Sequence, residues 1–297
     1  MDVLINEVGP RDGLQNQLPI LDLDQRLALI DRLLEAGLPR IEIGSFVSPR
    51  AVPQMAGTDR LAAQLRVRPG VEVSALIPNM KGYELALGAG IRTVALVVSV
   101  TESMNQKNIR MSVDQVMDIA RQVIELGRDD DVRVSAYLAV AFECPFEGQV
   151  DPGRVADLAA ELLGAGAAEL VIADTIGAGN PAQVSALMTR LAQAHGPDVL
   201  ACHFHDTRAL GLANVYAALE CGIRRFDSAI GGLGGCPFAP GAKGNVATED
   251  VVMLCEQLGF RTGIRMEGLL SAVTLVSDLL GNEYGGRAYS WLKQQAA

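Results

Sequence analysis

Two histidines lie two residues apart in the segment CHFHD, residues 202–206, and could bind one metal ion. The chain contains three histidines in all, so most of its imidazoles are gathered here. In extended backbone, residues i and i+2 point to the same side, which lets both rings reach a single cation. Two unrelated core or surface histidines are the alternative, but the alternation and the position at the end of a predicted strand favour metal ligation by His203 and His205.

Charged residues follow or interrupt two further predicted strands. Arg11 and Asp12, in EVGPRDGLQ, come directly after the first strand, where the residues of an α/β barrel face its active site. As an isolated pair they could equally form a structural salt bridge. Glu42 lies within the apolar stretch PRIEIGSF, and a carboxylate in a strand covered on both faces is costly unless it is paired. It is therefore either half of a buried ion pair or a functional group.

A glycine-rich segment, GGLGGCPFAPGAKGN, follows the last predicted strand at residues 231–245. Its six glycines and two prolines predict a long mobile loop, and such loops in compact domains are usually functional. A flexible linker would explain the glycines but not Cys236 or Asn245, and a thiol in such a loop is exposed enough to react. Asp174, in VIADTIGAG at another strand end, is a further candidate, unless it only caps a turn.

Several polar residues near other strand ends could contact a phosphate-bearing ligand. Lys81, Lys107, Arg50 and Arg110 are the basic ones, although most such side chains are simply solvated. Together with Asn79, the two lysines are our candidates for substrate binding.

The elements that would position these residues alternate along the chain. Predicted strands cover residues 3–7, 40–43, 72–76, 93–99, 132–141, 169–174, 199–203 and 225–229, and helices include 24–36, 113–126, 153–163, 182–192 and 212–220. Four segments, EAGLPRIEI, GAGIRTVAL, GAGAAELVI and ECGIRRFDS, repeat one junction in which a helix ends at a glycine and a strand begins shortly after. Eight strands joined in this way predict a (β/α)8 barrel, with a doubly wound open sheet as the alternative.

The composition is that of a globular protein with a large core: 49% of the 297 residues are hydrophobic and 20% are charged. We expect one domain over residues 1–297, with an extra helix at 266–280 outside the barrel or over its mouth. The net charge of −10 argues against binding to nucleic acids or membrane surfaces, which need a basic face. No secretory signal or membrane span is predicted, and five cysteines without a CxxC pair favour a reduced, cytoplasmic compartment.

The motifs resemble those of the 3-hydroxy-3-methylglutaryl-CoA lyase family, within the metal-dependent TIM-barrel lyases. The matching stretches are EVGPRDGLQN, IEIGSFVSPRAVPQM, ADTIGAG, HFHDT with the following GLAN, and GGLGGCPFA with GAKGNVATED. The resemblance extends over residues 6–263. It implies carbon–carbon bond cleavage of an acyl-CoA substrate, in the context of leucine catabolism, by an enzyme that forms a homo-oligomer.

The resemblance also implies roles for individual residues. The ligands of a divalent cation, Mg or Mn, would be Asp12, His203, His205 and Asn245. Arg11 would bind substrate and stabilise an enolate oxygen, Cys236 would transfer a proton, and Tyr137 would lie near the acyl group. Glu42 and Asp174 match acidic residues implicated in catalysis.

Four stretches depart from the family pattern and leave the acyl group open. The chain has AYLAVAFECPFEG where the family commonly has a GxVSCxxGCPYEG-like sequence, and AELVIADT for YEVSLGDT. It has RALG for YGQA after HDT, and Gln17-Leu18 in place of an acidic and a basic residue. The same chemistry on a citramalyl-CoA or a branched 3-hydroxyglutaryl-CoA is therefore the first alternative. A non-catalytic binding barrel and a condensing Claisen synthase are the others.

Overall fold

Eight parallel strands close into a barrel in the computed structural model, which describes residues 2–235 and 244–295. The barrel strands are β1 Leu4–Glu7, β2 Arg40–Ser45, β3 Glu72–Leu76, β4 Thr93–Ser99, β5 Arg133–Ala139, β8 Glu169–Asp174, β9 Leu200–Phe204 and β10 Arg225–Ser228. They follow one another around the barrel in chain order, and β10 pairs with β1. Two short strands, β6 Glu143–Cys144 and β7 Gly148–Gln149, form a separate antiparallel pair after β5. The predicted (β/α)8 barrel is confirmed.

Helices follow the strands and cover the outside of the barrel. They are α1 Leu23–Ala36, α2 Thr58–Gln64, α3 Met80–Gly88, α4 Glu102–Ile109, α5 Val113–Asp129, α6 Pro152–Ala165, α7 Pro181–His195, α8 Gly211–Glu220, α9 Thr248–Gln257, α10 Met266–Leu280 and α11 Tyr289–Gln295. The predicted extra helix corresponds to α10, which packs against α1 and therefore lies outside the barrel. None of the helices in the described ranges has the length and apolar sequence that a membrane span requires.

The repeated glycine junction has the backbone conformation that the sequence indicates. Its four glycines have φ angles between 82° and 105°, in the left-handed region: Gly37, Gly90, Gly166 and Gly222. One predicted strand is too long, because the chain leaves β5 at Val140, whose φ of 53° is incompatible with a strand.

The amino ends of five barrel strands carry charged residues that form one ion-pair network. Its members are the first residues of β2, β3, β5, β8 and β10: Arg40, Glu72, Arg133, Glu169 and Arg225. Arg40 donates to both carboxylate oxygens of Glu169, at 2.8 and 3.0 Å. Its guanidinium also lies 2.7 Å from the carboxylate of Glu72. Arg40 and Glu169 are both buried, so their charges depend on each other. At this end of a barrel, such a network serves stability.

We expect Arg40→Leu to lower the free energy of unfolding by about 3–5 kcal/mol, because it leaves the carboxylate of Glu169 buried without its main partner. Arg121→Leu is the matched control, since Arg121 pairs with Asp118 and Glu161 at the exposed surface and should contribute about 0–1 kcal/mol. Urea unfolding of both variants measures the difference. Equal effects would show that the network is not the source of stability.

Candidate metal centre and active site

The residues singled out in the sequence gather at the carboxyl ends of the barrel strands. Their sources are a turn after β1 (Arg11, Asp12), β2 (Glu42), β5 (Tyr137), the end of β8 (Asp174), β9 and the residue after it (His203, His205), and the segment before α9 (Asn245). His205 and Asn245 are joined by an isolated β-bridge, which ties two of these segments together. Residues that lie far apart in the sequence thus share one end of the barrel.

Arg11 and Asp12 lie in a single π-helical turn, Gly9–Gly13. The carbonyl of Val8 accepts hydrogen bonds from three successive amides, those of residues 11–13. Below the turn, the buried carboxylate of Glu7 accepts from the amide of Gly9 at 2.7 Å, and a Cβ on Gly9 would come within 2.5 Å of it. Single π turns recur at functional sites, and here one turn points two adjacent side chains into the barrel mouth.

Three side chains are placed to hold a cation. Ligand atoms of Asp12, His203 and His205 all lie within 4.8 Å of one another. The two Nε2 atoms of the histidines are 3.1 Å apart. Two ligand atoms that each lie about 2.1 Å from an ion, at a right angle, are about 3.0 Å apart, so this spacing suits adjacent positions of an octahedral site.

Asn245 offers a fourth ligand atom. Its amide nitrogen donates to Asp12 at 2.7 Å and to the carbonyl of Leu233 at 3.0 Å. Its oxygen, Oδ1, is buried and has no hydrogen-bond partner among the described residues. Buried polar atoms rarely lack a partner, and a free amide oxygen suits a hard cation such as Mg or Mn. The donor set therefore fits a divalent cation.

The orientation of His203 is set by Asp227, a residue that the sequence analysis did not find. Nδ1 of His203 lies 3.0 Å from Oδ2 of Asp227, whose carboxylate also accepts from Tyr137 at 2.8 Å and Asn6 at 2.8 Å. With its proton on Nδ1, the ring turns the lone pair of Nε2 toward His205, as in carboxylate–histidine–metal sites. Asp227 could have been found by the signal that identified Glu42, which is a carboxylate within a buried strand.

The electrostatic environment favours the ligand forms of two of these side chains. Burial alone would raise the pKa of Asp12, but Arg11 and the two histidines lower it to about 2. Burial and the neighbouring His203 lower the pKa of His205 to about 4. At neutral pH Asp12 is therefore ionised and His205 is uncharged, which are the states that bind a metal ion.

Arg11 is buried between two carboxylates. It donates to Glu42 at 2.5 Å and to Asp12 at 2.7 Å. Burial raises the pKa of Glu42 to about 7, although the charge of Arg11 acts in the opposite direction. The other oxygen of Glu42 is buried and has no partner among the described residues. A guanidinium fixed in this way can stabilise negative charge on a bound oxygen.

Some of these groups open onto a cavity of about 260 Å³. Arg11, Asp12, Tyr137, His203 and His205 line it, and so does Gly235 at the edge of the glycine-rich segment. Cys236, the next residue in the sequence, lies outside the described residues. Because the guanidinium and the cation-binding side chains face one space, a single small ligand can contact both.

The remaining candidates lie around this centre. The carboxylate of Asp174 accepts from the amides of Ala178 and Gly179, at 2.8 and 3.0 Å, and burial raises its pKa to about 6 despite these bonds. It anchors the loop after β8, and its part in catalysis stays a prediction. Asn79 caps α3 through the amide of Gly82.

The two candidate lysines do not join the cation-binding group. Lys81 is exposed on α3, and Lys107 lies 6.0 Å from the ring centre of Phe146. Their assignment to substrate binding stays a prediction.

Comparison with known proteins gives concordant matches. The family model described as HMGL-like matches residues 2–276. A 3-hydroxy-3-isohexenylglutaryl-CoA/hydroxymethylglutaryl-CoA lyase of Pseudomonas aeruginosa is 44% identical over 99% of this chain and 98% of its own length. An (R)-citramalyl-CoA lyase of Chloroflexus aurantiacus is 43% identical, over 94% and 91%. The crystal structure of hydroxymethylglutaryl-CoA lyase from P. aeruginosa has a TM-score of 0.95, with 44% identity and coverage of 99% of this chain and 98% of that one.

The contact between Asp227 and His203 predicts a measurable effect on cation binding. We expect Asp227→Asn to weaken the binding of Mn²⁺ by about 10–100-fold, because the imidazole loses the carboxylate that fixes its tautomer. Tyr137→Phe removes a different contact to the same oxygen and should change affinity much less. Calorimetric titration with Mn²⁺ measures both without substrate. If Asp227→Asn binds Mn²⁺ with the affinity of the wild type, His203 is not a ligand of the cation.

Proposed function

The chain belongs to the HMGL-like family of lyases, and we propose that it is a divalent-metal-dependent enzyme that cleaves 3-hydroxy-3-methylglutaryl-CoA into acetyl-CoA and acetoacetate. One observation carries the proposal: Arg11 is held next to Asp12 in a cavity that His203 and His205 also line. A fixed positive charge beside a cation-binding set matches the two needs of a retro-Claisen cleavage.

The bond to be broken joins C2 of the thioester to C3, which carries a hydroxyl group. Cleavage removes the hydroxyl proton, turns C3 into a ketone and leaves the electrons of the bond in the enolate of acetyl-CoA. An Mg or Mn ion held by Asp12, His203, His205 and Asn245 would polarise the hydroxyl group and lower its pKa. Arg11 donates to the thioester oxygen, where the negative charge of the enolate develops.

Glu42 is the acceptor that we propose for the hydroxyl proton. It has a buried, unpartnered oxygen and a pKa near neutrality, which suits a general base. The same carboxylate holds Arg11, so its ionised form supports both halves of the reaction. Asp174 positions the loop after β8 through its two backbone contacts.

Cys236 is the group that we propose for the proton that C2 takes up at the end of the reaction. The proposal rests on the resemblance of its sequence motif and on the place of Gly235, the preceding residue, in the cavity wall. A thiol titrates near 8.5 in model peptides, so it can give up a proton to an enolate at neutral pH.

The same residues would cleave related thioesters. One relative is named for both the methylglutaryl substrate and a 3-isohexenyl analogue, and another is named for citramalyl-CoA. In each substrate, the bond next to a tertiary alcohol is cleaved. The altered stretch AYLAVAFECPFEG makes a citramalyl-CoA or a branched 3-hydroxyglutaryl-CoA the alternative substrate.

Incubation with a panel of thioesters tests the proposal. Purified protein with Mg²⁺ or Mn²⁺ is given 3-hydroxy-3-methylglutaryl-CoA, citramalyl-CoA and a 3-isohexenyl analogue, and the products are identified by mass. Acetyl-CoA with acetoacetate supports the first substrate, and acetyl-CoA with another oxo acid supports the alternative. If no thioester of the panel yields acetyl-CoA, the chain is not a lyase of this kind.

The raised pKa of Glu42 sets the direction of a pH effect. Its proton-accepting form grows as the pH rises through about 7, so we expect kcat/KM to rise from pH 6 to 8 at saturating metal and then to level off. Glu42→Gln should remove this rise and lower kcat by about 10²–10⁴-fold.

Glu161→Gln is the control for this experiment, because Glu161 pairs with Arg121 at the exposed surface and should leave the profile unchanged. A rise of the same shape in Glu42→Gln would assign the titration to another group.

We expect Cys236→Ser to lower kcat while KM and the free energy of unfolding change little. The hydroxyl group of serine is a far weaker acid than a thiol, so proton delivery to the enolate slows. Cys221→Ser makes the same chemical change at the end of α8 and should keep normal turnover. Steady-state kinetics compare the two variants, and a kcat of Cys236→Ser within about twofold of wild type would exclude the proton-transfer role.

A further inference from the structure

The segment between α10 and α11 is fastened to the first turn of α9. We call its last five residues, 284–288, the clasp. Two buried carboxylates hold its backbone: Glu249 accepts from the amide of Gly286 at 2.7 Å, and Asp250 accepts from the amide of Ala288 at 3.0 Å. A Cβ on Gly286 would come within 2.5 Å of the carboxylate of Asp250, so only a glycine permits this approach. The clasp is therefore bound firmly to the helix that follows Asn245.

Two side chains of the clasp reach loops that carry cation ligands. Nε of Arg287 donates to Oδ2 of Asp206 at 2.7 Å, and its Nη2 lies 3.4 Å from the carbonyl oxygen of the same residue. Asp206 directly follows His205 in the sequence. The hydroxyl group of Tyr284 donates to the side-chain oxygen of Gln17 at 2.8 Å.

Gln17 extends the contact of Tyr284 to the turn that holds Arg11 and Asp12. Its amide nitrogen donates to the carbonyl of Gly13, the last residue of that turn, at 3.2 Å. Gln17 is also a position at which the sequence departs from the family pattern. An ionised carboxylate only accepts hydrogen bonds and an ammonium group only donates them, whereas an amide does both. The departure thus supplies a link between the clasp and the turn.

His205 depends on its backbone for its position more than His203 does. Asp227 fixes the ring of His203, but Nδ1 of His205 is buried and has no hydrogen-bond partner among the described residues. The ring of His205 is therefore placed by the chain on either side of it. That chain is held by the β-bridge to Asn245 and by the contacts of Asp206 with the clasp.

The clasp connects the three segments that carry Asp12, His205 and Asn245. These ligands come from a turn after β1, the residue after β9 and the segment before α9, so no single element sets their spacing. A site whose ligands are already in place binds its ion more tightly, because less ordering remains to be done on binding.

We propose that Arg287 is a positioning residue of the cation site. Through Asp206 it fixes the backbone of His205, and together with Tyr284 it holds the ligand-bearing segments at the spacing that an ion requires. The inference rests on the cation site of the proposed function. Arg287 does not line the catalytic cavity, so its effect on the ion passes through His205.

Calorimetric titration with Mn²⁺, without substrate, tests the proposal. We expect Arg287→Ala to weaken Mn²⁺ binding by about 10–100-fold, as the loss of groups that support metal ligands does. Arg287→Lys keeps a charge that can pair with Asp206 and should restore part of the affinity. In Arg287→Ala, kcat at saturating Mn²⁺ should stay within about threefold of wild type, because the bound ion itself then holds the ligands.

Arg261→Ala is the matched control. It removes a contact of the same kind, from Nε of Arg261 to Asp2 at 2.9 Å, before the start of β1 at the opposite end of the barrel. Its Mn²⁺ affinity should equal that of the wild type.

The outcomes separate the inference from the proposed function. If a folded Arg287→Ala protein binds Mn²⁺ as tightly as the wild type, the clasp has no part in the cation site and the inference is overturned, while the proposed function stands. If the wild type itself binds no Mn²⁺, the metal dependence of the proposed function fails and the inference with it.

A second variant keeps the test decisive if thermal unfolding shows that Arg287→Ala does not fold. Tyr284→Phe removes only the hydroxyl group that bonds Gln17 and should weaken Mn²⁺ binding by about 2–10-fold. Tyr289→Phe makes the same change on α11, where the hydroxyl group lies 3.4 Å from that of Thr274, and should have no effect. Equal Mn²⁺ affinities in the two variants would contradict the proposal.

Discussion

Three carboxylates and one guanidinium are buried together at the mouth of the barrel. Asp12, Glu42 and Asp227 supply the negative charges, and Arg11 is paired with the first two. A group of this kind carries excess negative charge in a place where water cannot compensate it. The raised pKa of Glu42 shows the result, since Asp227 and Asp12 add to the effect of burial. A divalent cation between Asp12 and His203 would relieve the same excess, so cation binding and proton affinity at this site are linked.

Further buried carboxylates hold the segments that carry the site. Glu7 bonds the amides of Gly9 and Ile230, and thereby connects the turn of Arg11 to the start of the glycine-rich segment. Glu249 bonds the amides of Gly231 and Gly286, which brings the chain after α10 to the same place. Burial raises the pKa of both acids to about 7. Loops at a barrel mouth are otherwise the less stable part of the fold, and these anchors give the site its fixed geometry.

The sequence predicted the features that depend on local patterns. Alternation along β9 placed His203 and His205 on one side, and the glycine junctions marked where strands begin. It did not predict the contacts that Asp227 makes across the barrel. Asp227 meets His203 and Tyr137 only because β10, β9 and β5 face one interior, and no spacing along the chain encodes that meeting. The cap of Asn79 was missed for a related reason, because a side chain that bonds a backbone amide leaves no pattern in the sequence beyond its own position.

The two ends of the barrel use buried charge in opposite ways. At the amino ends, both oxygens of Glu169 are taken up by Arg40, which is how a structural pair offsets its cost of desolvation. At the carboxyl ends, Glu42 and Asn245 each leave a buried oxygen atom without a partner among the described residues. A buried polar atom without a hydrogen-bond partner lowers the stability of the folded state by about 1–3 kcal/mol. The buried charges at the amino ends are therefore paired within the protein, whereas polar atoms at the carboxyl ends are available to a ligand. The unpaired atoms mark where that ligand makes its contacts.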